Sequence, residues 1–220
     1  MENEKILVLD FGGQYNQLIA RRVREQHVYA EILPYTASLD RIRAEGYKGI
    51  IFTGGPNSVY DESSPHYTSE ILTLGIPVLG ICYGAQLLAY MLDGKVEHAP
   101  AREYGKTAIH LSSGSKLFNN VTPETTCWMS HTDYISAMPE GFVNTGYTDN
   151  CPCAAMENEE KGYYAVQFHP EVMHTPQGSL MLKNFVYDIC GCKGDWVMSA
   201  FVEESILRLR EKIGDRKVLC

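Results

Sequence analysis

The first hundred residues alternate short β-rich runs with stretches of helical periodicity, and this alternation limits the fold more than any other feature of the sequence. Strands are predicted at residues 6–9, 30–33, 49–53 and 78–81. Helices are predicted between and after them, at residues 15–26, 39–45 and 67–74 and around Gln86. Since strand, helix, strand repeats of this length form right-handed crossovers, the pattern predicts a parallel sheet with helices on both faces.

From residue 103 the pattern changes to short strands separated by turns. These strands are predicted at residues 107–111, 127–129, 143–147, 154–157 and 163–168. A final amphipathic helix is predicted at residues 178–190, where its apolar side chains can pack on the sheet. We therefore expect an α/β fold with a mostly parallel central sheet, helices on both faces and a small mixed or antiparallel extension of the sheet.

A chain of 220 residues can form one sizeable α/β domain with a full core and a short extension. We assign residues 1–192 to that domain, because the stretch Gly191-Cys192-Lys193-Gly194 is typical of a linker. Beyond it, a second helix is predicted at roughly residues 198–213, and residues 216–220 have the composition of a strand that begins there.

Charge and cysteine content exclude several classes of protein. The formal charge of −8 is spread along the chain, which argues against binding to nucleic acid or to an anionic membrane surface. No apolar run has the length of a signal peptide or a membrane-spanning helix, so we expect a cytoplasmic protein. Seven cysteines suit reduced thiols better than disulfides. The C-x-C pairs at residues 151 and 153 and at 190 and 192 lack zinc-knuckle spacing, and no metal site is predicted.

The pentapeptide Gly80-Ile81-Cys82-Tyr83-Gly84 lies between a predicted strand and a predicted helix, which is typical of a nucleophile elbow. Glycines are needed beside such a turn because the strand and helix backbones pass too closely for a β-carbon. The turn would place Cys82 at a helix N-terminus, where backbone N–H groups favour a thiolate. For this motif alone, a buried core cysteine beside two packing glycines is the alternative interpretation.

The tripeptide His169-Pro170-Glu171 supplies the groups that a cysteine nucleophile needs, which are a base and a carboxylate that orients it. Proline disfavours helical backbone at His169, and residues two apart in an extended chain point to the same side. Glu171 can therefore hold one ring nitrogen of His169 while the other accepts the proton of Cys82. In the alternative interpretation, His169 only ends a strand and Glu171 is solvated.

The third candidate element is Gly54-Gly55-Pro56-Asn57, which follows the apolar run at residues 49–52. Its glycines allow a backbone N–H to turn toward a ligand. The N–H groups of Gly55 and Tyr83 would then form an oxyanion hole for a tetrahedral intermediate. An ordinary tight turn is the alternative. Because the carboxyl ends of parallel strands meet at one edge of a sheet, we expect all three motifs to converge there.

Together the three motifs resemble the class I glutamine amidotransferases over about residues 5 to 190. Cys82, His169 and Glu171 fall on the catalytic triad of that family. Longer matches resemble one branch of it, in which an ATP pyrophosphatase domain follows the amidotransferase. These matches are Asp10-Phe11-Gly12-Gly13-Gln14-Tyr15, Ile19-Ala20-Arg21-Arg22-Val23-Arg24-Glu25, Met129-Ser130-His131-Thr132-Asp133, His169-Pro170-Glu171-Val172-Met173-His174-Thr175 and Asn184-Phe185-Val186. The chain departs from the serine, threonine and methionine expected in this branch at Gly13, Asn16 and Ala85.

The resemblance implies that the segment hydrolyses L-glutamine through a γ-glutamyl thioester on Cys82. It implies that Gln86 holds the α-amino and carboxylate end of the substrate, helped by backbone groups around Ser130, His131, Thr132 and Asp133. A structural role for the His131 side chain is an equal alternative. No cofactor is implied for this segment.

The resemblance to this branch also implies a partner, the ATP pyrophosphatase domain of the same full-length chain. There, ATP and Mg²⁺ would support the amination of adenylylated xanthosine monophosphate (XMP) to GMP by the ammonia released from glutamine. Residues 193–220 would be a linker and the truncated start of that second domain. The present segment would then hold no nucleotide site.

Three other functions are compatible with the motifs. An amidotransferase of another synthetase would share the triad but should lack the Arg21-Arg22 signature and the segment at residues 217–220. A cysteine hydrolase acting on γ-glutamyl peptides should cleave them faster than free glutamine. A nonenzymatic glutamine sensor should have a Cys82 that reacts no faster than the other thiols.

Overall fold

The computed structural model describes residues 4–214 and residue 216. Within them, nine strands form one sheet: β1 (Lys5–Asp10), β2 (Tyr29–Pro34), β3 (Gly49–Phe52), β4 (Val78–Ile81), β5 (Lys95–Leu111), β6 (Glu124–Ala137), β7 (Val143–Tyr147), β8 (Ala155–Asn158) and β9 (Tyr163–Val166). Their order in the sheet is β2-β1-β3-β4-β9-β8-β7-β5-β6. The first five strands in this order are parallel to their neighbours, and the remaining pairings are antiparallel. The predicted fold class is confirmed.

Helices cover both faces of the parallel half of the sheet. They are α1 (Asn16–Arg24), α2 (Leu39–Ala44), α3 (Tyr83–Met91) and α4 (Gly178–Asn184). A fifth helix, α5 (Met198–Ile213), follows them in the chain. Alternate residues of β1 divide the core in two, because successive side chains of a strand point to opposite faces. Ile6 and Val8 pack with α1 and α4, whereas Leu7 and Leu9 pack with α2 and α3. Every residue of β3 and β4 is buried, which explains their continuous apolar runs.

The antiparallel extension is larger than predicted. Strands are predicted only at residues 107–111 and 127–129, but β5 has 17 residues and β6 has 14, and the two strands pair along most of their length. Their register shifts between His98 and Glu103. Because this irregularity interrupts the alternation of side chains, the first half of β5 has no regular strand pattern in the sequence. In β6, the buried positions alternate, but two of them are His131 and Asp133, so the apolar pattern is broken.

Two predicted helices take other forms. The helix expected at residues 67–74 is a 3₁₀ helix over Ser69–Leu74, and the one expected at residues 178–190 is α4 followed by a π-helical turn over Phe185–Ile189. After the linker, Trp196 is buried, and its backbone N–H donates to the carbonyl of His27 over 3.0 Å. The linker therefore lies against the domain.

The C-terminal helix α5 has the predicted span and exposes several apolar side chains, namely Val202, Ile206, Leu207 and Leu209. Of the strand expected at residues 216–220, all but Arg216 lies outside the described residues. None of the helices in the described part of the chain is both long enough and apolar enough to cross a membrane.

Candidate active site

Cys82 lies at a sharp turn between β4 and α3, at the carboxyl edge of the parallel strands. Its backbone has φ 54° and ψ −111°, a conformation that residues with a β-carbon rarely adopt. The Cys82 N–H donates to the carbonyl of Val166 at the end of β9 over 2.8 Å, which ties the turn to the neighbouring strand. Strained backbone of this kind persists only where the surrounding structure holds it, and it is frequent at functional sites.

The two glycines that flank this turn are required by close backbone contacts. A β-carbon at Gly80 would lie 2.5 Å from the carbonyl oxygen of Gly84. A β-carbon at Gly84 would lie 2.3 Å from the carbonyl oxygen of Phe52 on β3. Both distances are far shorter than any van der Waals contact, so helix α3 can approach the sheet only with glycine at these positions. The strand, turn and helix expected around Cys82 are all present.

His169 and Glu171 form a buried pair beside Cys82. The Nδ1–H of His169 donates to Oε1 of Glu171 over 2.7 Å, and both side chains are more than nine-tenths buried. Two bonds hold the histidine backbone: its N–H donates to the carbonyl of Trp128 on β6 (3.0 Å), and its carbonyl accepts from the hydroxyl of Thr175 (2.6 Å). The geometry agrees with the predicted role of Glu171, which is to fix the tautomer and orientation of the ring.

The electrostatics of the site favour a charged histidine. Burial acts to lower the pKa of His169, but the charge and hydrogen bond of Cys82, followed by those of Glu171, outweigh it and raise the pKa to about 11. His169 should therefore be an imidazolium at neutral pH, with the sulfur of Cys82 on one side and the Glu171 carboxylate on the other. A thiolate is the reactive form of cysteine.

One cavity of about 460 Å³ brings the predicted site residues together. Its lining includes Gly55, Cys82, Tyr83, Gln86, Ser130, His131, Thr132, Asp133 and His169. Glu171 is the one predicted site residue that does not line the cavity, since it lies behind His169. All three motifs therefore converge at the carboxyl edge of the parallel strands. The specific role of each residue remains a prediction.

Ser130–Asp133 form one wall of the cavity, and Asp133 accepts several hydrogen bonds there. The buried Asp133 carboxylate accepts hydrogen bonds from the hydroxyls of Ser58 and Tyr60, and the ring of His98 lies within 3.3 Å of it. The backbone carbonyl of the same residue accepts from Nδ1 of His131 over 2.9 Å. These hydrogen bonds from Ser58 and Tyr60 join the loop after β3 to β6.

Sequence reasoning missed several residues of the site. Gln167 is 1% exposed and contacts both Gln86 and Cys82, and the ring of Tyr15 packs edge-on against that of His169 at 5.2 Å. Ser58 and Tyr60 reach the site only through their bonds to Asp133. A signal for Gln167 was available, because it lies two residues before His169 in a segment expected to be extended. No sequence pattern indicated the bonds of Ser58 and Tyr60 to Asp133.

A buried group of metal-binding residue types includes His131 of the cavity wall. The donor atoms of Glu103, His131 and Cys151 all lie within 4.8 Å of one another. Two of these donors have partners in the protein, since the Thr148 hydroxyl donates to the Glu103 carboxylate over 2.9 Å and Nε2 of His131 lies 3.3 Å from it. Burial lowers the pKa of His131 and raises that of Cys151. The group therefore fits a hydrogen-bonded structural cluster, and the expected lack of a metal remains a prediction.

A known family pattern covers most of the chain. The family model "Glutamine amidotransferase class-I" matches residues 7–189. This range contains every residue of the candidate site. It therefore places the cavity, the elbow and the His169–Glu171 pair within one family pattern.

Curated relatives match the whole chain. It is 61% identical to "GMP synthase [glutamine-hydrolyzing]" of Acetivibrio thermocellus and 62% identical to the protein of the same name from Ruminiclostridium cellulolyticum, in both cases over 220 residues. A relative of that name from Clostridium botulinum is 60% identical. Each alignment covers 100% of this chain but 43% of the relative, so the chain spans less than half the length of these proteins.

Solved structures share the fold. A Thermoplasma acidophilum protein provisionally assigned as a GMP synthase subunit has a TM-score of 0.74 and 28% identity, and the match covers 94% of this chain and 99% of that one. A glutamine amidotransferase from Thermotoga maritima has a TM-score of 0.71 at 17% identity, with 87% and 100% of the two chains covered. The second likeness supports the fold alone.

Proposed function

The chain belongs to the glutamine amidotransferase class-I family, and we propose that it hydrolyses L-glutamine to glutamate and ammonia through a thioester on Cys82. The observation that carries this proposal is a cysteine on a strained elbow beside a buried histidine that a buried carboxylate orients. The names of relatives that are 60 to 62% identical support the choice of glutamine as substrate.

In the first half of the reaction, the Cys82 thiolate attacks the carbon of the side-chain carboxamide. The carbonyl oxygen becomes an oxyanion, which the N–H groups of Gly55 and Tyr83 would receive. His169, which starts as an imidazolium, gives its Nε2 proton to the departing nitrogen. Ammonia leaves, and a γ-glutamyl thioester remains on Cys82.

In the second half, water replaces ammonia. His169 is now neutral, and its Nε2 takes a proton from the water as the oxygen attacks the thioester carbon. The tetrahedral intermediate expels the Cys82 thiolate, which releases glutamate and restores the charged pair. Glu171 accepts from Nδ1 of His169 in both halves and thereby keeps Nε2 directed at the reacting atoms.

The far end of the substrate would be held by Gln86 and the Ser130–Asp133 wall. Both amide hydrogens of Gln86 are engaged, one by the carbonyl of Asp133 (2.9 Å) and one by Oε1 of Gln167 (3.1 Å). Its carbonyl oxygen is therefore the atom left to accept from the α-amino group of glutamine. This restricts the predicted role of Gln86 to an acceptor. Backbone groups of Ser130–Asp133 would complete the binding.

Glu171→Gln is expected to reduce kcat about 10²- to 10⁴-fold without abolishing turnover. The amide oxygen can still accept from Nδ1, but the negative charge that stabilises the imidazolium is lost. Ammonia release at saturating glutamine measures the effect. The matched control is Glu160→Gln, at an exposed position. A loss as large as that of Cys82→Ala would mean that Glu171 does more than orient the ring, and an unchanged kcat would contradict its role.

Gly55→Ala is expected to lower kcat about a hundredfold, which is the typical effect of losing one oxyanion donor. A β-carbon at Gly55 would lie 2.8 Å from the carbonyl oxygen of Phe11, so the loop has to move and carry its N–H away. Gly114→Ala is the matched control, because its β-carbon would meet nothing closer than 3.9 Å. The prediction is wrong if the two variants have equal kcat.

We further propose that the ammonia serves a second domain of a longer chain. The chain spans 43% of the GMP synthases that it matches, which leaves room for an ATP pyrophosphatase domain beyond it. That domain would use ATP and Mg²⁺ to aminate XMP to GMP. Since these nucleotides are cytoplasmic metabolites, we propose the cytoplasm as the location of the enzyme.

The proposed boundary between the two domains lies after residue 192, with residues 193–220 as linker and start of the second domain. The exposed apolar side chains of α5 support this division. Ile206, Leu207 and Leu209 are 44%, 59% and 55% exposed, which is unusual for apolar residues that have already found their packing partners. A partner domain that packs on α5 would cover them.

Substrate preference tests the proposed function against the alternatives. Free glutamine and a γ-glutamyl dipeptide are offered to the protein at equal concentrations, and release of ammonia, glutamate and dipeptide product is measured. The proposal predicts faster turnover of glutamine, with one ammonia per glutamate. Preference for the dipeptide would indicate a γ-glutamyl hydrolase instead. A protein that binds glutamine without any turnover would support a sensor.

A further inference from the structure

A chain of buried hydrogen bonds ends at the sulfur of the nucleophile, and its last member has no part in the mechanism above. That member is Gln167, which is 1% exposed. Its Nε2 lies 3.8 Å from Sγ of Cys82, within hydrogen-bond distance for sulfur, and its Oε1 lies 3.1 Å from Nε2 of Gln86. Gln86 in turn donates to the backbone carbonyl of Asp133 over 2.9 Å.

The backbone carbonyl of Asp133 fixes the orientation of both side-chain amides in this series of hydrogen bonds. A backbone carbonyl only accepts hydrogen bonds, so Gln86 must present its NH₂ group to the carbonyl of Asp133. The second hydrogen of the same NH₂ group points to Gln167, which must then present its carbonyl oxygen. The NH₂ group of Gln167 is therefore left facing the sulfur of Cys82. If either side-chain amide were rotated by 180°, two donors or two acceptors would face each other.

The backbone holds Gln167 and Cys82 in this arrangement. Ile81 and Val166 are paired residues of β4 and β9, so Cys82 and Gln167 are the next residues of two neighbouring strands. The Cys82 N–H donates to the carbonyl of Val166, and the Gln167 N–H donates to the carbonyl of Ala154, each over 2.8 Å. The same short segment thus supplies both Gln167 and His169 to the sulfur.

We propose that Gln167 is a further catalytic residue, which donates a hydrogen bond from its amide to the Cys82 thiolate. A thiolate accepts such a bond more strongly than a thiol does, so the donor favours the charged form before glutamine arrives. The same donor would meet the negative charge that returns to sulfur when the thioester is hydrolysed. Gln86 is then a positioning residue for Gln167 as well as a substrate contact. The inference rests on the proposed function, because it takes Cys82 as the nucleophile.

The test is the pH dependence of alkylation of Cys82 by iodoacetamide, followed by mass spectrometry of the modified peptide. Gln167→Glu is the sharper variant, since it keeps the size of the side chain and the acceptor for Gln86 but replaces the donor by a carboxylate. Gln167→Met removes both polar groups at nearly the same size. We expect the midpoint of the low-pH limb to rise by about one unit in Gln167→Met and by more in Gln167→Glu, so that alkylation below the midpoint slows about tenfold or more.

The outcomes separate this inference from the proposed function. If Cys82 of the unchanged protein reacts no faster than the other thiols, the nucleophile assignment itself fails. If Cys82 is selectively reactive but the profiles of folded variants coincide with that of the unchanged protein, Gln167 has no catalytic role. A purely structural role would lower the Tm of the variants and leave the midpoint where it is.

A measurement on the unchanged protein covers the case in which both variants fail to fold. The side-chain amide protons of Gln167 are followed by NMR during a pH titration. They should shift with the ionisation of Cys82, and the shift should vanish in Cys82→Ala. If the amide resonances of Gln167 do not shift over the pH range in which Cys82 ionises, the proposal is overturned.

Discussion

Cys82→Ala is expected to abolish glutamine hydrolysis, with a fall in kcat of about 10⁴-fold or more. Without Sγ there is no nucleophile for the carboxamide carbon. The cavity keeps its other walls, so glutamine should still bind. Ammonia release under saturating glutamine measures kcat, and isothermal calorimetry measures binding.

The matched control for this variant is Cys192→Ala. Cys192 is a buried thiol outside the cavity lining, and burial raises its pKa to about 11, so it should not be reactive at neutral pH. Its replacement should leave kcat unchanged. Equal turnover by Cys82→Ala and the unchanged protein would contradict a cysteine mechanism altogether.

His169→Ala is expected to cause the second-largest loss, a fall in kcat of about 10³-fold or more. The imidazolium supplies the proton that lets ammonia leave, and its charge stabilises the thiolate. Both functions are lost together in the alanine variant. Alkylation of Cys82 at pH 7 should therefore slow in parallel with turnover, and this second measurement distinguishes loss of the thiolate from loss of the proton donor alone.

The matched control for His169→Ala is His174→Ala, at an exposed histidine of the same loop. Its ring packs against Trp128, with 4.6 Å between the ring centroids, and does not line the cavity. This variant should retain the kcat of the unchanged protein. If instead both histidine variants lose turnover equally, the loop as a whole matters and His169 is not the specific base.

The parallel half of the fold was predictable because its signals are local. β1, β3 and β4 are short apolar runs, and each lies within a residue of the predicted span. The long β5–β6 pair was not, because its two strands carry polar residues at buried positions. His131 and Asp133 can be buried because their polar groups are hydrogen-bonded. A hydropathy pattern does not report hydrogen bonds.

The same contrast holds at the site. Cys82, His169 and Glu171 are indicated by motifs in which glycine and proline restrict the backbone, and the three residues lie together in the structure. The connection of Gln86 to Gln167 joins residues 81 positions apart, and that of Ser58 to Asp133 joins residues 75 apart. Contacts of this kind depend on the register of neighbouring strands and on loop paths, which only the assembled sheet determines.

The most direct test of the central claim is labelling by a chloroketone analogue of glutamine, read out by intact mass. The Cys82 thiolate would displace chloride and leave a single covalent adduct, whether or not the protein turns glutamine over. The proposed function predicts one adduct on Cys82, suppressed by free glutamine and absent from Cys82→Ala. Adducts spread over several cysteines and indifferent to glutamine would contradict it, because neither a selective nucleophile nor a glutamine pocket would then exist.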